Sequence, residues 1–119
     1  MDMRHIESRT QQECVRWFNL AYRQYEGLLF ACPNGVATTA TQGRILKAEG
    51  MVAGVSDLLL LVPNREYHGL CIEMKSKTGV QRTTQKIWQQ KVESQGYRYV
   101  IARDFMTFKQ VVDEHLKNV

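Results

Sequence analysis

The feature that most constrains the fold is a pair of apolar segments separated by a turn. Gly54-Val55-Ser56-Asp57 leads into Leu58-Leu59-Leu60-Leu61-Val62, five consecutive apolar residues. A short run bounded by turn residues suits a strand buried on both faces. Pro63-Asn64-Arg65-Glu66 is turn-rich, and residues 67–75 resume an extended pattern that ends in Cys71-Ile72-Glu73-Met74-Lys75. With the turn centred near Arg65, one-to-one antiparallel pairing makes facing position numbers sum to about 130. Asp57 then faces Glu73. Side chains alternate along a strand, so Glu73 and Lys75 share one face and Met74 points away.

Two carboxylates in that arrangement repel. At about 4 Å and an effective dielectric near 20 the repulsion is roughly 4 kcal/mol, and like charges directly opposite destabilise a sheet. A divalent cation is the simplest group to offset it, and hard oxygen ligands suit Mg²⁺ or Mn²⁺. The plainer alternative makes Asp57 a turn cap and Glu73–Lys75 an exposed pair on an edge strand. The hairpin by itself leaves both open.

The rest of the chain narrows the choice. At 119 residues, 44% hydrophobic and 24% charged, it is expected to be a single α/β domain over residues 1–119 with one core. No apolar run approaches the roughly 20 residues of a membrane span, and the N-terminal residues lack the apolar core of a signal peptide. A cytoplasmic location is the expectation. Cys14, Cys32 and Cys71 are isolated and odd in number, as in a reduced protein without a disulfide frame or zinc site. A net charge of +4 mildly favours an anionic partner.

Ser8 or Thr10 can cap a helix reaching about Tyr25, with Val15, Phe18, Leu20 and Tyr22 as its apolar stripe. Glu13 falls near its start, where an acid also complements the helix dipole. Residues 28–32 read as a strand, Pro33-Asn34-Gly35 as a turn, and residues up to Ala48 as a helix capped by Thr39 or Thr41 with Ile45 and Leu46 inward. After the hairpin, Thr83 or Thr84 caps a helix to Ser94 with Ile87, Trp88 and Val92 on its apolar face. That segment is rich in amides: Gln81, Gln85, Gln89, Gln90 and Gln95. Residues 97–102 are a strand. Asp104 caps a last helix carrying Phe105, Phe108, Val111, Val112 and Leu116 at helical spacing. The order αβαββαβα predicts a central mixed β-sheet flanked by helices. No P-loop, dinucleotide fingerprint or nucleophile elbow is present, so no nucleotide cofactor is expected.

This pattern resembles the PD-(D/E)XK (restriction-endonuclease-like) superfamily, and more closely its VRR-NUC branch. The resemblance rests on Glu13 in the first helix, Pro33-Asn34-Gly35, Gly54-Val55-Ser56-Asp57-Leu58, Glu73-Met74-Lys75 and Gln85-Lys86-Ile87-Trp88. One departure is Ser56, where that branch usually carries proline. The resemblance implies a stand-alone, dimeric, Mg²⁺- or Mn²⁺-dependent endonuclease that cuts branched DNA such as four-way (Holliday) junctions. Asp57 and Glu73 would hold the metal with the Met74 backbone carbonyl, and Glu13 would join them, through water or at a second ion. Lys75 would orient water or stabilise charge on the phosphorane, and Gln85 would position water or phosphate. Lys77, Arg82, Lys86 and Lys91 are candidate DNA contacts. For Trp88, core packing is the expectation.

Three rival readings differ in what they require. A non-catalytic DNA-binding module on the same fold needs no carboxylate cluster facing phosphates. An interaction domain with incidental acids binds neither metal nor DNA. A sequence-specific or flap nuclease keeps the chemistry and changes the substrate, although 119 residues leave little surface for reading bases. Cutting both strands of a junction needs two sites related by two-fold symmetry. The last helix (Phe105, Phe108, Val112) or the first helix would supply that dimer surface.

Overall fold

The computed structural model describes residues 3–33 and 39–119, with side chains from Ile6 onward. Its elements follow the expected order: α1 (Met3–Ala21), a 3₁₀ turn (Arg23–Tyr25), β1 (Leu29–Ala31), α2 (Ala40–Ala48), β2 (Leu58–Leu60), β3 (Leu70–Met74), α3 (Thr83–Ser94), β4 (Arg98–Ala102) and α4 (Phe105–Lys117). Pro33 is described, but Asn34 and Gly35 of the predicted turn lie outside the described residues. Thr39 caps α2 by accepting from Gln42 N at 3.1 Å, and Asp104 caps α4 by accepting from Thr107 N at 2.7 Å.

The sheet runs β1-β2-β3-β4. The first three strands are antiparallel, and β4 joins β3 in parallel. In the β2–β3 pair Leu58 faces Ile72, Leu59 faces Cys71 and Leu60 faces Leu70, the register predicted from the turn. One face of the sheet carries the core. Leu29, Leu58, Leu60, Leu70, Ile72 and Met74 pack with Cys14 and Phe18 of α1 and with Phe108 and Val112 of α4. Trp17 sits edge-on to Phe105 and Phe108, with centroids at 5.9 and 6.2 Å.

Several expectations give way to this packing. The leucine run is not buried on both faces: Leu58, Leu60 and Val62 are enclosed, Leu59 is half-buried and Leu61 is 50% exposed. Helix α3 packs against β4 and leaves the outer face of β1–β2 open, with Phe30 and Leu61 exposed. Ile45 and Ile87 point outward, and α2 has no buried residue. Helix α1 extends from Met3 and buries Cys14 and Phe18, while Leu20 of the predicted stripe is exposed. Phe108 and Val112 are wholly buried in the core and Phe105 packs against it. The apolar face of α4 is therefore not a dimer surface, and neither is the Cys14–Phe18 face of α1.

Candidate active site

Asp57 sits just before β2, at the end of the sheet where β3 runs out into Lys75. The register carried one residue beyond Leu58–Ile72 places Asp57 opposite Glu73. The Asp57 carboxylate accepts the Met74 N–H at 2.7 Å, which holds it across the hairpin. Its backbone carbonyl accepts from Cys32 N at 2.8 Å, so three strands fix its position. Ser56, where the resemblance noted above leads one to expect proline, is fully buried, and its Oγ donates to Leu58 O at 3.0 Å. A side-chain hydrogen bond thus braces the loop that a proline ring would stiffen.

Gly54 explains the Gly-x-x-Asp spacing. It adopts φ +88°, and a Cβ there would lie 2.2 Å from Thr84 O. Only glycine lets the loop pass so close to the first turn of α3. That contact seats Gln85 over Glu73. Gln85 Oε1 accepts from Arg82 N at 2.8 Å, which turns its amide nitrogen toward Glu73 Oε2 at 3.1 Å.

Glu73 is 2% exposed. It also accepts from the Tyr99 hydroxyl of β4, at 3.3 Å and on the same Oε2, so the two neutral donors share one oxygen. Burial pushes the Glu73 pKa well above the ordinary carboxylate range, and hydrogen bonding to and repulsion from Asp57 push it further. Lys75 and the Tyr99 hydroxyl pull it back. Burial and Asp57 likewise raise the pKa of the half-buried Cys32 thiol. Asp57, Glu73, Lys75 and Gln85 are thus brought together. Asp57 opens onto a cavity of about 540 Å³ also lined by Met74, Glu7, Gln11 and Arg16.

Glu13 is exposed and does not line that cavity. Helical phase is the reason. Glu7, Gln11, Cys14 and Phe18 recur at spacings of four and three and form the inward stripe, and Glu13 lies about 100° around the helix from Cys14. Glu7 is the helix-one acid that lines the cavity beside Asp57. Its Oε1 accepts from Ser76 N at 3.1 Å, and it also lines a second cavity, of about 410 Å³, with Lys75, Lys77 and Arg103. Arg103 clamps the loop after Lys75, donating to Ser76 O at 2.8 Å and Gly79 O at 2.7 Å. Sequence spacing missed Glu7, Tyr99 and Arg103. Only Glu7 carried a signal, its place on the Cys14–Phe18 stripe. Lys77, Arg82, Lys86 and Lys91 are exposed, and neither ion pair among the described residues uses them.

The donor set fits a hard divalent cation. Two carboxylates meet, and one of them is buried against neutral donors. Among the described residues no group of three or more His, Cys, Asp or Glu side chains gathers as a ligand cage. Mg²⁺ or Mn²⁺ held by two carboxylates, a backbone carbonyl, water and phosphate needs no such cage.

A mixed sheet with Asp-…-Glu-x-Lys at the end of its central hairpin, and an amide from the following helix on the glutamate, defines a restriction-endonuclease-like nuclease core. The family follows from comparison. The VRR-NUC domain model matches residues 1–105, and the chain belongs to that family. A solved structure described as a VRR_NUC domain protein superposes with a TM-score of 0.79 at 22% identity, covering 94% of this chain and 88% of that one. Comparison with curated proteins returned no match. VRR-NUC is a nuclease family acting on DNA and generally dependent on a metal ion. None of the described helices is long and apolar enough to cross a membrane.

Proposed function

We propose that this protein is a homodimeric, Mg²⁺- or Mn²⁺-dependent endonuclease that cuts branched DNA, four-way junctions in particular. The observation that carries it is the Asp57–Glu73 pair with Lys75 and Gln85 at the open end of the hairpin. Asp57 and Glu73 would hold the ion with the Met74 carbonyl, and Glu7 takes the helix-one role expected of Glu13. Such an ion supplies a Lewis acid for the scissile phosphate and lowers the pKa of a bound water. Lys75, whose charge acts on Glu73, stabilises charge on the phosphorane. Gln85 positions Glu73 and the phosphate, while Lys77, Arg82, Lys86 and Lys91 grip the DNA backbone.

The test is cleavage of a labelled four-way junction, a linear duplex and single strands with Mg²⁺, Mn²⁺ or EDTA, by wild type and Glu73→Ala. Symmetric nicking of the junction, lost with EDTA and with Glu73→Ala, is expected. Cutting of flaps or linear DNA instead would retain the nuclease and overturn the substrate. Tight junction binding without turnover in either metal would make it a binding module.

A further inference from the structure

We infer that Tyr99, with its hydroxyl held by Gln81, is a positioning residue that fixes the Glu73 carboxylate for the divalent ion. The inference rests on the metal-dependent reading of the site and goes beyond it to residues outside the Asp…Glu-x-Lys motif. Tyr99 lies on β4, paired with Cys71 of β3, and it is 7% exposed. Its ring packs edge-on against Trp88 of α3, with centroids at 6.1 Å. Strand alternation places it two residues from Ile101, the β4 partner of Glu73, on the same face of the sheet.

Proton directions around Tyr99 are determined by its neighbours. Gln81 Nε2 donates to Gln89 Oε1 at 2.7 Å and reaches the Tyr99 oxygen at 3.4 Å. An amide nitrogen only donates, so the Tyr99 oxygen accepts from Gln81 and its own hydrogen turns to Glu73 Oε2. Gln89 Nε2 in turn faces Glu93 Oε2 at 3.4 Å. The chain Glu93–Gln89–Gln81–Tyr99–Glu73 therefore has every donor assigned. It gives a role to Gln81 and Gln89 of the amide-rich segment, while Gln90 and Gln95 are exposed.

Two donors from different elements then meet on one oxygen of Glu73. Gln85 reaches that oxygen from α3, on one side of the carboxylate. Adding Tyr99 from β4 fixes its plane. A hydrogen bond to a metal ligand's second oxygen orients the ligand and raises the affinity of the site, and losing one typically costs 10–100-fold in metal affinity or activity.

The experiment is Mn²⁺ binding without DNA, followed by the electron paramagnetic resonance signal of the free ion. It compares wild type, Tyr99→Phe, Gln81→Ala and Trp88→Phe, with circular dichroism to verify folding. Tyr99→Phe is expected to raise the Mn²⁺ dissociation constant about tenfold, with cleavage partly recovered at saturating Mn²⁺. Gln81→Ala is expected to shift it in the same direction by less. Trp88→Phe, which alters ring packing but no hydroxyl, is expected to leave the constant unchanged while lowering the melting temperature. If wild type binds Mn²⁺ and Tyr99→Phe binds it equally well, the inference is overturned and the nuclease reading stands. If wild type binds no Mn²⁺, both are overturned. Should Tyr99→Phe fail to fold, Gln81→Ala decides, and an unchanged constant there overturns the inference.

Discussion

The two faces of the sheet are built from the same strands and solve different problems. Every residue of β3 is buried, yet alternate positions meet different chemistry. Leu70, Ile72 and Met74 join Phe18, Phe108 and Val112 in an apolar core, whereas Glu73 meets Gln85 and Tyr99. The core face obtains stability from apolar area removed from water. The α3 face buries a carboxylate, a phenol and amides, and among the described residues every buried side-chain polar atom has a partner. Burial alone does not separate structural from functional positions in this chain. The chemistry on each side of the strand does.

The contrast is sharpest in paired substitutions. Phe18→Ala opens the apolar face and is expected to destabilise the domain by about 3–5 kcal/mol, read as the midpoint shift in urea. Gly54→Ala is expected to come next. A Cβ against Thr84 O at φ +88° has to push α3 away, so both the melting temperature and the Gln85–Glu73 contact should suffer. A variant as stable as wild type would show that α3 does not depend on that close approach. Glu73→Gln should behave oppositely, with cleavage lost and metal-free stability kept or raised at neutral pH, because an amide needs no ionisation in that setting.

The sign of the Glu73 effect gives a finer test. Its folded pKa lies above the unfolded one, so the folded state binds the proton more tightly. Metal-free stability is then fully present below the ordinary carboxylate pKa, and falls as pH rises from there toward the raised folded value. Glu73→Gln should flatten that slope. A wild-type protein in EDTA whose urea midpoint does not fall across this window would contradict the buried, Asp57-facing placement. The smallest effect is expected at Glu13. Glu13→Gln should leave Mn²⁺-supported cleavage within about twofold, the size of change usual at surface positions, because its side chain is exposed and lies outside the cavity at Asp57. Glu7→Gln should lower it clearly. The reverse ranking would return the helix-one role to Glu13.

What the sequence made legible follows from which constraints are local. The Asp57–Glu73 juxtaposition was readable because a short turn and one-to-one pairing fix the register of a hairpin. Thr39 and Asp104 were readable because a cap is defined by its neighbours. Glu13, taken from the resemblance, lies outside the cavity at Asp57, because helical phase turns it beside the buried Cys14 toward solvent. The stripe drawn through Val15, Phe18, Leu20 and Tyr22 holds at Val15, Phe18 and Tyr22, which pack in or against the core, and fails at Leu20, which faces solvent. Tyr99 and Arg103 stayed hidden because the parallel pairing that brings β4 to β3 leaves no short-range signal. The exposed Leu61 and Ile87 show the same limit, since an apolar run does not say how far a covering helix reaches.

The proposed activity requires Asp57 and Glu73 together to hold a divalent ion, and the most direct measurement is a crystal grown with Mn²⁺ and examined by anomalous scattering. The predicted result is one strong peak at the end of the hairpin, with an Asp57 and a Glu73 oxygen each about 2.1 Å away. It should disappear in Glu73→Gln crystals grown under the same conditions. A map with no peak there, or with Mn²⁺ bound elsewhere while the two carboxylates keep their metal-free contacts, would contradict the account.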